Sequence, residues 1–336
     1  MLISEIGEFD LIERLEKILP QEGDGVVTAI GDDCAVLDVD GEQLLWTTDA
    51  AIEGVHFLPY LATPEQIGSK ALLSNLSDVA AMGGRPRYAT LSISLPPDAA
   101  VEWVEGLYRG IAEQAREAGV AIVGGNTSRS PYAVRIDISV IGTAPAAEIL
   151  RRSGAKAGDV VLVTGTVGDA YCGLESVFHP TIPVNPDTRN ALIERYRSPI
   201  PRLAEARVIA KSGLASAMMD ISDGLSSDLL HICDASKVGV ELRVADLPIS
   251  DRVREFSLAS GVAPCHYALV GGDDYGLLLT APEDGSEKLI RMVREKTGTV
   301  LTVIGTIVES EKTKTLILLN GRRANLSAEG WQHFRR

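Results

Sequence analysis

The stretch TPEQIGSKALLSNLSDVAAMGG, residues 63–84, predicts a helix that is apolar on nearly every face. Thr63 is a suitable N-cap, Pro64 suits the first helical position, and two glycines follow the last turn. A helix that is apolar all round is buried, so we expect this one to lie inside the fold. Asp78 lies on the helical stripe that begins at Ile67, and it would therefore be a buried carboxylate.

The charge of Asp78 needs a partner, because a lone buried carboxylate is strongly destabilising. An ion pair with Arg85 or Arg87 is one alternative, and a bound metal ion is the other. The sequence favours the metal ion, because other carboxylates gather where apolar strands end or turns begin. These groups are IGDDCAVLD (30–38), LLWTTDAAIEGVHF (44–57), SAMMDISDGLSSDL (216–229) and LVGGDDYGLLLT (269–280).

Any one of these aspartates, taken alone, has the simpler interpretation of a turn residue or a helix N-cap. In DISDGLSSDL, however, Asp220, Ser222 and Asp223 fall in one strand-to-helix turn, where a cap needs only one of them. Gly224 would let the backbone approach a ligand there. Hard oxygen ligands in this number suit Mg²⁺, which proteins bind together with substrate phosphates.

Composition limits the class of protein. The chain has 336 residues, 45% of them hydrophobic, which predicts two packed domains. Its 32 basic against 46 acidic residues give a net charge of −14, which argues against binding to nucleic acid or to an anionic membrane. No apolar run is long enough for a membrane span, and MLISEIGEFD does not resemble a signal peptide, so we expect a cytoplasmic protein. The four scattered cysteines predict reduced thiols.

Strand-like and helix-like segments alternate along the chain, which predicts an α/β fold. VRIDISVIG (134–142) alternates strictly and predicts a half-buried strand. VGGNTSRS (123–130) follows an apolar run and predicts either a plain turn between strands or a loop that holds a phosphate or a metal ion. The small and basic stretch 143–158 predicts the junction between an N-terminal domain, 1–144, and a C-terminal domain, 145–336.

Taken together, these motifs resemble the thiamine-monophosphate kinase family, within the superfamily of aminoimidazole ribonucleotide synthetase and selenophosphate synthetase. The resemblance runs nearly end to end. It is carried by GEFDLIERL, IGDDCAVLD, TTDAAIEGVHF, KALLSNLSDVAAMGGRP, GGNTSRS, RSGAKAGDVVLVTGTVGDA, MMDISDGLSSDLLHI, GGDDYGLLLT and GWQHF. The implied activity is Mg²⁺-assisted transfer of the ATP γ-phosphoryl group to thiamine monophosphate, the last step of thiamine diphosphate synthesis, without a covalent protein nucleophile.

The resemblance also implies residue roles. The positions that match magnesium ligands are Asp33, Thr47, Thr48, Asp49, Asp78, Asp220 and Asp223. Those that match ATP contacts are Gly125, Asn126, Arg152 and Ser222. Those that match contacts to thiamine monophosphate are His56, Asp273 and Trp331. Without the resemblance, His56 would be a hydrogen-bonded core histidine, Trp331 a packed anchor of the tail, and Arg152 a solvated linker charge.

Two departures from the family pattern concern the ligand sites. Asn126 stands where the family usually has Asp, so one magnesium site loses a charge. Asp273 and Gly276 stand where the family usually has Glu, and Asp273 is shorter by one methylene. These departures leave the occupancy of one metal site and the strictness for the acceptor open.

The fold implied by the resemblance is a two-domain aminoimidazole ribonucleotide synthetase-like α/β (α+β) chain, whose N-terminal domains pair into a homodimer across a shared β-barrel. One alternative is another ATP-using member of the superfamily, of the selenophosphate synthetase or hydrogenase maturation type. The absence of a cysteine before Cys34 argues against the selenophosphate synthetase type. The other alternative is a catalytically silent protein that binds nucleotide or metal.

Overall fold

Two β-sheets with helices packed against them organise residues 3–334, the part of the chain that this computed structural model describes. The first sheet contains β1 (Val26–Thr28), β2 (Ala35–Val39), β3 (Glu42–Ile52), β4 (Arg85–Leu95), β5 (Ala121–Arg129) and β6 (Arg135–Ala144). Its spatial order is β1-β2-β3-β6-β4-β5, with all neighbours antiparallel except β4 and β5. The predicted alternation in β6 is confirmed, because Ile136, Ile138 and Val140 are all buried.

The helices of the described residues are α1 (Ile3–Glu16), α2 (Pro64–Ala81), α3 (Val101–Ala118), α4 (Asp169–Phe178), α5 (Pro186–Arg197), α6 (Leu203–Ser212), α7 (Leu225–Ser236), α8 (Asp251–Ser260), α9 (Pro264–Val270) and α10 (Glu283–Thr297). Helix α1 precedes the first strand. It buries no side chain, and Gly7 interrupts it with a φ of 80°.

Helix α2 has the limits and the burial that its sequence predicts. The Thr63 hydroxyl accepts from the backbone N–H of Gln66, and the Gln66 side chain accepts from the N–H of Thr63, which forms a capping box. Two glycines allow α2 and α3 to pack in backbone contact. A Cβ at Gly68 would lie 2.0 Å from the carbonyl oxygen of Leu107, and a Cβ at Gly110 would lie 1.8 Å from that of Glu65. This close crossing holds α2 against the first sheet.

The second sheet contains β7 (Asp159–Thr164), β8 (Ala217–Ile221), β9 (Gly239–Arg243), β10 (Gly276–Pro282), β11 (Leu301–Val308), β12 (Lys314–Ile317) and β13 (Arg323–Asn325). Its order is β13-β12-β9-β11-β7-β10-β8. Residues of α6 and α10 pack on one face, and residues of α7 and α9 on the other. Most strand pairs are antiparallel, so the mixed α+β form of the predicted class is the one observed.

The prediction of a loop at residues 123–130 is wrong. These residues continue β5 to Arg129, and β5 is the edge strand of the first sheet with every residue exposed. Gly125 favours pairing here, because a Cβ would lie 2.0 Å from the carbonyl oxygen of Leu91 on β4. The hydroxyl and amide side chains of this stretch therefore line a sheet edge and not a turn.

Candidate active site

Three carboxylates from three different elements meet where the two sheets adjoin. Asp33 lies just before β2, Asp78 near the end of α2, and Asp220 in β8. One oxygen from each lies within 4.8 Å of the others. Such a distance allows one divalent cation to contact all three side chains.

The alternation of β8 explains why Asp220 faces α2. Met218 packs with Ala80 of α2, whereas Met219 and Ile221 pack in the core on the opposite face of the sheet. Since side chains two positions apart share a face, Asp220 lies on the same face as Met218. The stripe of α2 that carries Asp78 faces it.

Neighbouring hydroxyl groups hold these carboxylates. Thr47 Oγ1 donates to Asp78 Oδ2 at 2.6 Å, and Ser77 Oγ donates to Asp220 Oδ2 at 2.5 Å. The second oxygen of Asp220 accepts from Ser222 Oγ at 3.3 Å. Asp49 lies beside the cluster, with its backbone N–H donating to Asn75 Oδ1 at 3.1 Å.

The negative charge of the cluster is only partly compensated by the side chains around it. Burial raises the pKa of Asp220 to about 7, with a further contribution from the charge of Asp33. Burial also raises the pKa of Asp78 well above its usual range, and the charges of Asp49 and Asp220 add to the shift. Among the described residues, Asp33 Oδ2 is buried without a hydrogen-bond partner. An unpartnered buried carboxylate oxygen beside two other carboxylates fits a cation site.

The ion pairs of the cluster decide between two pairs of alternatives left open by the sequence, one for Arg152 and one for Asp78. Arg152 donates to Asp33 Oδ1 at 2.5 Å through Nη2, and its backbone N–H lies 3.3 Å from both carboxylate oxygens of Asp32. Arg152 is therefore not a solvated linker charge. Within residues 3–334, Asp78 forms no ion pair with Arg85 or Arg87, both of which are exposed.

Asp223 connects the cluster to the C-terminal tail. Its carbonyl oxygen accepts from the backbone N–H of Trp331 at 2.8 Å. Ser227 Oγ, in the first turn of α7, accepts from the N–H of Gly330 at 3.0 Å. Burial raises the pKa of Asp223 to about 7, and the charge of Glu8 acts in the same direction. The tail is thereby fixed beside a predicted metal ligand.

A second group of side chains, with aromatic and charged members, lies next to Asp223. The rings of His56 and His333 are 5.1 Å apart, and those of His333 and Trp331 are 5.9 Å apart. Glu8 Oε2 accepts from the backbone N–H of His333 at 3.0 Å. The charge of Asp273 partly offsets the lowering of the His56 pKa. We call His56, Asp273, Trp331, His333 and Glu8 the acceptor group, after the contact to thiamine monophosphate that the resemblance predicts for the first three.

His56 is a neutral donor in this group. Burial lowers its pKa, and the charge of His333 lowers it further. Its Nδ1 accepts from the backbone N–H of Ile52 at 3.1 Å, so the ring proton is assigned to Nε2. The hydrogen bond predicted for a core histidine is thus present, and the second nitrogen remains available to a ligand.

Three of the predicted residues lie away from the acidic cluster. Thr48 points to the opposite face of β3 from Thr47, where its Oγ1 donates to the carbonyl oxygen of Ile138 at 3.1 Å. Gly125 and Asn126 lie on β5, which is three strands away from β3 in the sheet. Three strand spacings correspond to about 14 Å.

Several residues of the site were missed by the sequence interpretation. Ser77 and Asn75 lie in SNLSD directly before Asp78, and His333 lies in GWQHF two positions after Trp331. Lys70 was also missed, although it precedes Ser74 and Asp78 at intervals of four on one stripe of α2. That spacing is the signal that could have found it.

The chain matches two family descriptions over most of its length. AIR synthase related protein, N-terminal domain, matches residues 31–144, and AIR synthase related protein, C-terminal domain, matches residues 156–317. The structure of Escherichia coli HypE, a hydrogenase maturation protein, has a TM-score of 0.71 at 21% identity, covering 94% of this chain and 98% of that one. This likeness shows the fold. The molecule is therefore of the AIR synthase related class.

More similar proteins narrow the class. Thiamine-monophosphate kinase of Aquifex aeolicus (strain VF5) is 37% identical over 335 residues, which is 99% of this chain and 100% of the relative. The corresponding kinase of Escherichia coli (strain K12) is 35% identical, with 98% of each chain covered. The solved structure of AaThiL complexed with AMPPCP and TMP has a TM-score of 0.84 at 36% identity, with 99% of each chain covered.

The chain belongs to the thiamine-monophosphate kinase family. Its reaction is the phosphorylation of thiamine monophosphate by ATP, as the resemblance predicted. The alternative of a hydrogenase maturation type is disfavoured, because those structures share the fold at much lower identity. Among the described residues, no helix is both long and apolar enough to cross a membrane.

Proposed function

We propose that the chain binds several Mg²⁺ ions through the cluster of Asp33, Asp78 and Asp220, together with Asp49 and Asp223, and that these ions hold the phosphates of ATP. The single observation that carries this proposal is a buried Asp33 oxygen without a hydrogen bond, on a carboxylate that lies within 4.8 Å of two others. When bound, Mg²⁺ neutralises phosphate oxygens and orients them for transfer. The hydroxyl of Thr47 fixes Asp78 for this role.

The acceptor group suits a cationic heteroaromatic ring. Thiamine monophosphate carries a positive thiazolium ring, which is attracted by carboxylates and by aromatic faces. Asp273 and Glu8 supply the carboxylates, and Trp331 and the two histidine rings supply the faces. Because Trp331 is hydrogen-bonded to Asp223, a ring on Trp331 would lie beside the metal-binding carboxylates. The acceptor phosphate would then reach the triphosphate of ATP.

In the proposed reaction, a phosphate oxygen of thiamine monophosphate forms a bond to the γ-phosphorus of ATP. The bond from that phosphorus to the bridging oxygen of ADP breaks, and the products are thiamine diphosphate and ADP. The residues of this chain act by placing the two phosphates in line and by excluding other acceptors. The positive charge of Arg152 and the hydroxyl of Ser222, both beside the cluster, would contact the nucleotide phosphates.

The proposal is tested by incubating the purified protein with ATP, Mg²⁺ and thiamine monophosphate and measuring thiamine diphosphate. Product is expected only when all three are present. Thiamine in place of its monophosphate, and EDTA in place of Mg²⁺, are the controls. ATP binding without thiamine diphosphate formation would identify the chain as the silent nucleotide-binding alternative.

The open edge at β5 supports a homodimer. Val123 is 61% exposed, and Ile122, Trp46 and Tyr88 are exposed apolar residues on the same sheet. An unpaired, partly apolar edge strand is normally covered in a stable protein. Pairing of two chains here would bury the edge and bring Gly125 and Asn126, the predicted nucleotide contacts, to the interface. Light scattering of the purified protein should give twice the mass of one chain, and a monomer would exclude this arrangement.

Two organisational proposals remain from the sequence. The chain divides at 144/145 into two domains, which is supported by the end of the first sheet at Ala144 and the start of the second at Asp159. Cytoplasmic location is supported by four cysteines that are all free thiols, three of them buried. Expression of residues 1–144 alone tests the division, since a soluble folded fragment is expected.

A further inference from the structure

Lys70 is a partly buried cation at the boundary between the two sheets. Its Nζ lies 2.9 Å from Asp273 Oδ2 and 4.0 Å from the centre of the Tyr196 ring. Only 15% of the side chain is exposed. Lys70 belongs to α2, which packs on the first sheet, whereas Asp273 lies just before β10 of the second. The ion pair therefore joins the two halves of the molecule.

Asp273 is held from several directions. Its Oδ1 accepts from the Tyr275 hydroxyl at 3.2 Å, and its N–H donates to the carbonyl oxygen of Ser222 at 2.9 Å. The backbone is left-handed at Asp273 (φ 66°) and at Tyr275 (φ 48°), a conformation that costs free energy for residues other than glycine. Lys70 is the charged contact in this set, so it contributes most to fixing the carboxylate.

Along α2, Lys70 is well separated from Asp78 and therefore from the phosphates that the acidic cluster is proposed to hold. Lys70 precedes Asp78 by eight positions. With a rise of 1.5 Å per residue, that separation is about 12 Å along the helix axis. Lys70 thus lies at the end of the site where the ring of the acceptor would bind, in direct contact with Asp273.

We propose that Lys70 is a positioning residue, which holds the carboxylate of Asp273 toward the ring of thiamine monophosphate and does not itself contact the phosphate. This inference rests on the proposed function, because it takes Asp273 as a contact to the acceptor. The side chain of Asp273 is short, so its reach toward a ligand depends on its orientation. Lys70 fixes that orientation, and Tyr196 keeps the ammonium group in place through its ring.

The test compares Lys70→Met with two other variants. Lys70→Arg keeps the positive charge. Lys314→Met is the control, because it removes a similar ion pair far from the site: the Lys314 side chain is 18% exposed, and its Nζ lies 2.9 Å from Asp234 Oδ1. In steady-state kinetics, Lys70→Met is expected to raise KM for thiamine monophosphate about tenfold, with kcat and KM for ATP nearly unchanged. Lys70→Arg should recover most of this loss, and Lys314→Met should resemble the parent protein.

Thiamine separates the two ways in which Lys70 could act. If Lys70 acts through Asp273 on the ring, the inhibition constant of thiamine, which has no phosphate, rises by the same factor as KM. An unchanged inhibition constant together with a raised KM would assign Lys70 to the phosphate and overturn the proposal. An unchanged KM for thiamine monophosphate would overturn it as well.

A double-mutant cycle tests the route through Asp273. In the Asp273→Asn background, Lys70→Met should change KM less than twofold, because the carboxylate that it positions is absent. Equal effects in both backgrounds would contradict the proposal. If the parent or any variant forms no product, calorimetry without ATP replaces the kinetics. It measures the affinity for thiamine monophosphate, and the effect of Lys70→Met on that affinity is compared in the two backgrounds. A parent that binds but does not phosphorylate would refute the proposed function and leave this inference to be judged by the binding data.

Discussion

The acidic cluster and the acceptor group are neighbours that are built in different ways. The cluster consists of Asp33, Asp78 and Asp220, whose carboxylates converge from a turn, a buried helix and an edge strand of the second sheet. Hydroxyl groups hold Asp78 and Asp220, and Arg152 holds Asp33. The acceptor group is assembled from α1, the C-terminal tail and the left-handed segment at Asp273, and most of it is partly exposed. The acidic cluster is thus held by hydrogen bonds and an ion pair close around it, whereas the acceptor group depends on a few tertiary contacts.

The largest effect is expected from Asp220→Asn. The change keeps shape but removes the charge that would hold metal-bound phosphates, so we expect turnover to fall at least about a thousandfold. Thiamine diphosphate formation measures it. Near-normal activity at low Mg²⁺ would contradict the role of Asp220 as a ligand.

Asp274→Asn is the matched control for the same change. Asp220 and Asp274 are both 2% exposed, and burial raises the pKa of each to about 7. Asp274, however, accepts from the N–H groups of Gly168 and Ala170 at the start of α4. Its replacement should therefore lower the free energy of unfolding by about 1 kcal/mol, whereas Asp220→Asn should not lower it. Thermal unfolding of both variants measures the difference.

The second prediction concerns pH and Mg²⁺. The pKa of Asp220 is about 7 in the folded chain and near 3.8 when unfolded. A raised carboxyl pKa gives stability that is present below the unfolded pKa and is lost as the pH rises through the folded pKa. Without Mg²⁺, Tm should therefore be lower at pH 8 than at pH 6, and Asp220→Asn should reduce the difference. Added Mg²⁺ should raise Tm mainly at pH 8, and an equal rise at both pH values would count against a site in the cluster.

The third prediction concerns the acceptor group alone. Trp331→Ala removes an aromatic face but keeps the backbone hydrogen bond to Asp223, so KM for thiamine monophosphate should rise about tenfold. Trp331→Phe should lose much less. The Mg²⁺ concentration for half-maximal rate should stay unchanged in both variants. A shift in that concentration would show that the two regions are not independent.

The sequence predicted the parts of the site that depend on local pattern. The limits and the burial of α2 and the turn after Asp220 follow from capping residues, periodicity and strand ends, whereas Asp78 itself is partly buried. That Asp33 lies beside Asp78 and Asp220 was predicted only through the family resemblance, because three segments that are distant in sequence meet only through tertiary packing. Lys70 and Glu8 were missed for the same reason, since their partners lie more than two hundred residues away in the chain.

The same reasoning explains why VGGNTSRS was interpreted incorrectly. Glycines and hydroxyl residues are typical of turns, and the pattern does not show that β4 offers a backbone edge to pair with. Gly125 is required by the close approach of Leu91, not by a left-handed turn. The segment is polar and exposed, but strand pairing decided its conformation.

The smallest effect is expected from Asn126→Asp, which tests whether the two regions share a third contributor on β5. Added negative charge near bound phosphates should lower the Mg²⁺ concentration for half-maximal rate about threefold if Asn126 contacts the nucleotide site. Asn320→Asp is the control, since Asn320 is exposed in the turn between β12 and β13 and gains the same charge. In the proposed homodimer the effect requires the paired edge, so it should be absent from a monomeric variant. If the Mg²⁺ concentration for half-maximal rate is unchanged in the dimer, residue 126 does not contribute to the proposed metal site, and the acidic cluster alone forms it.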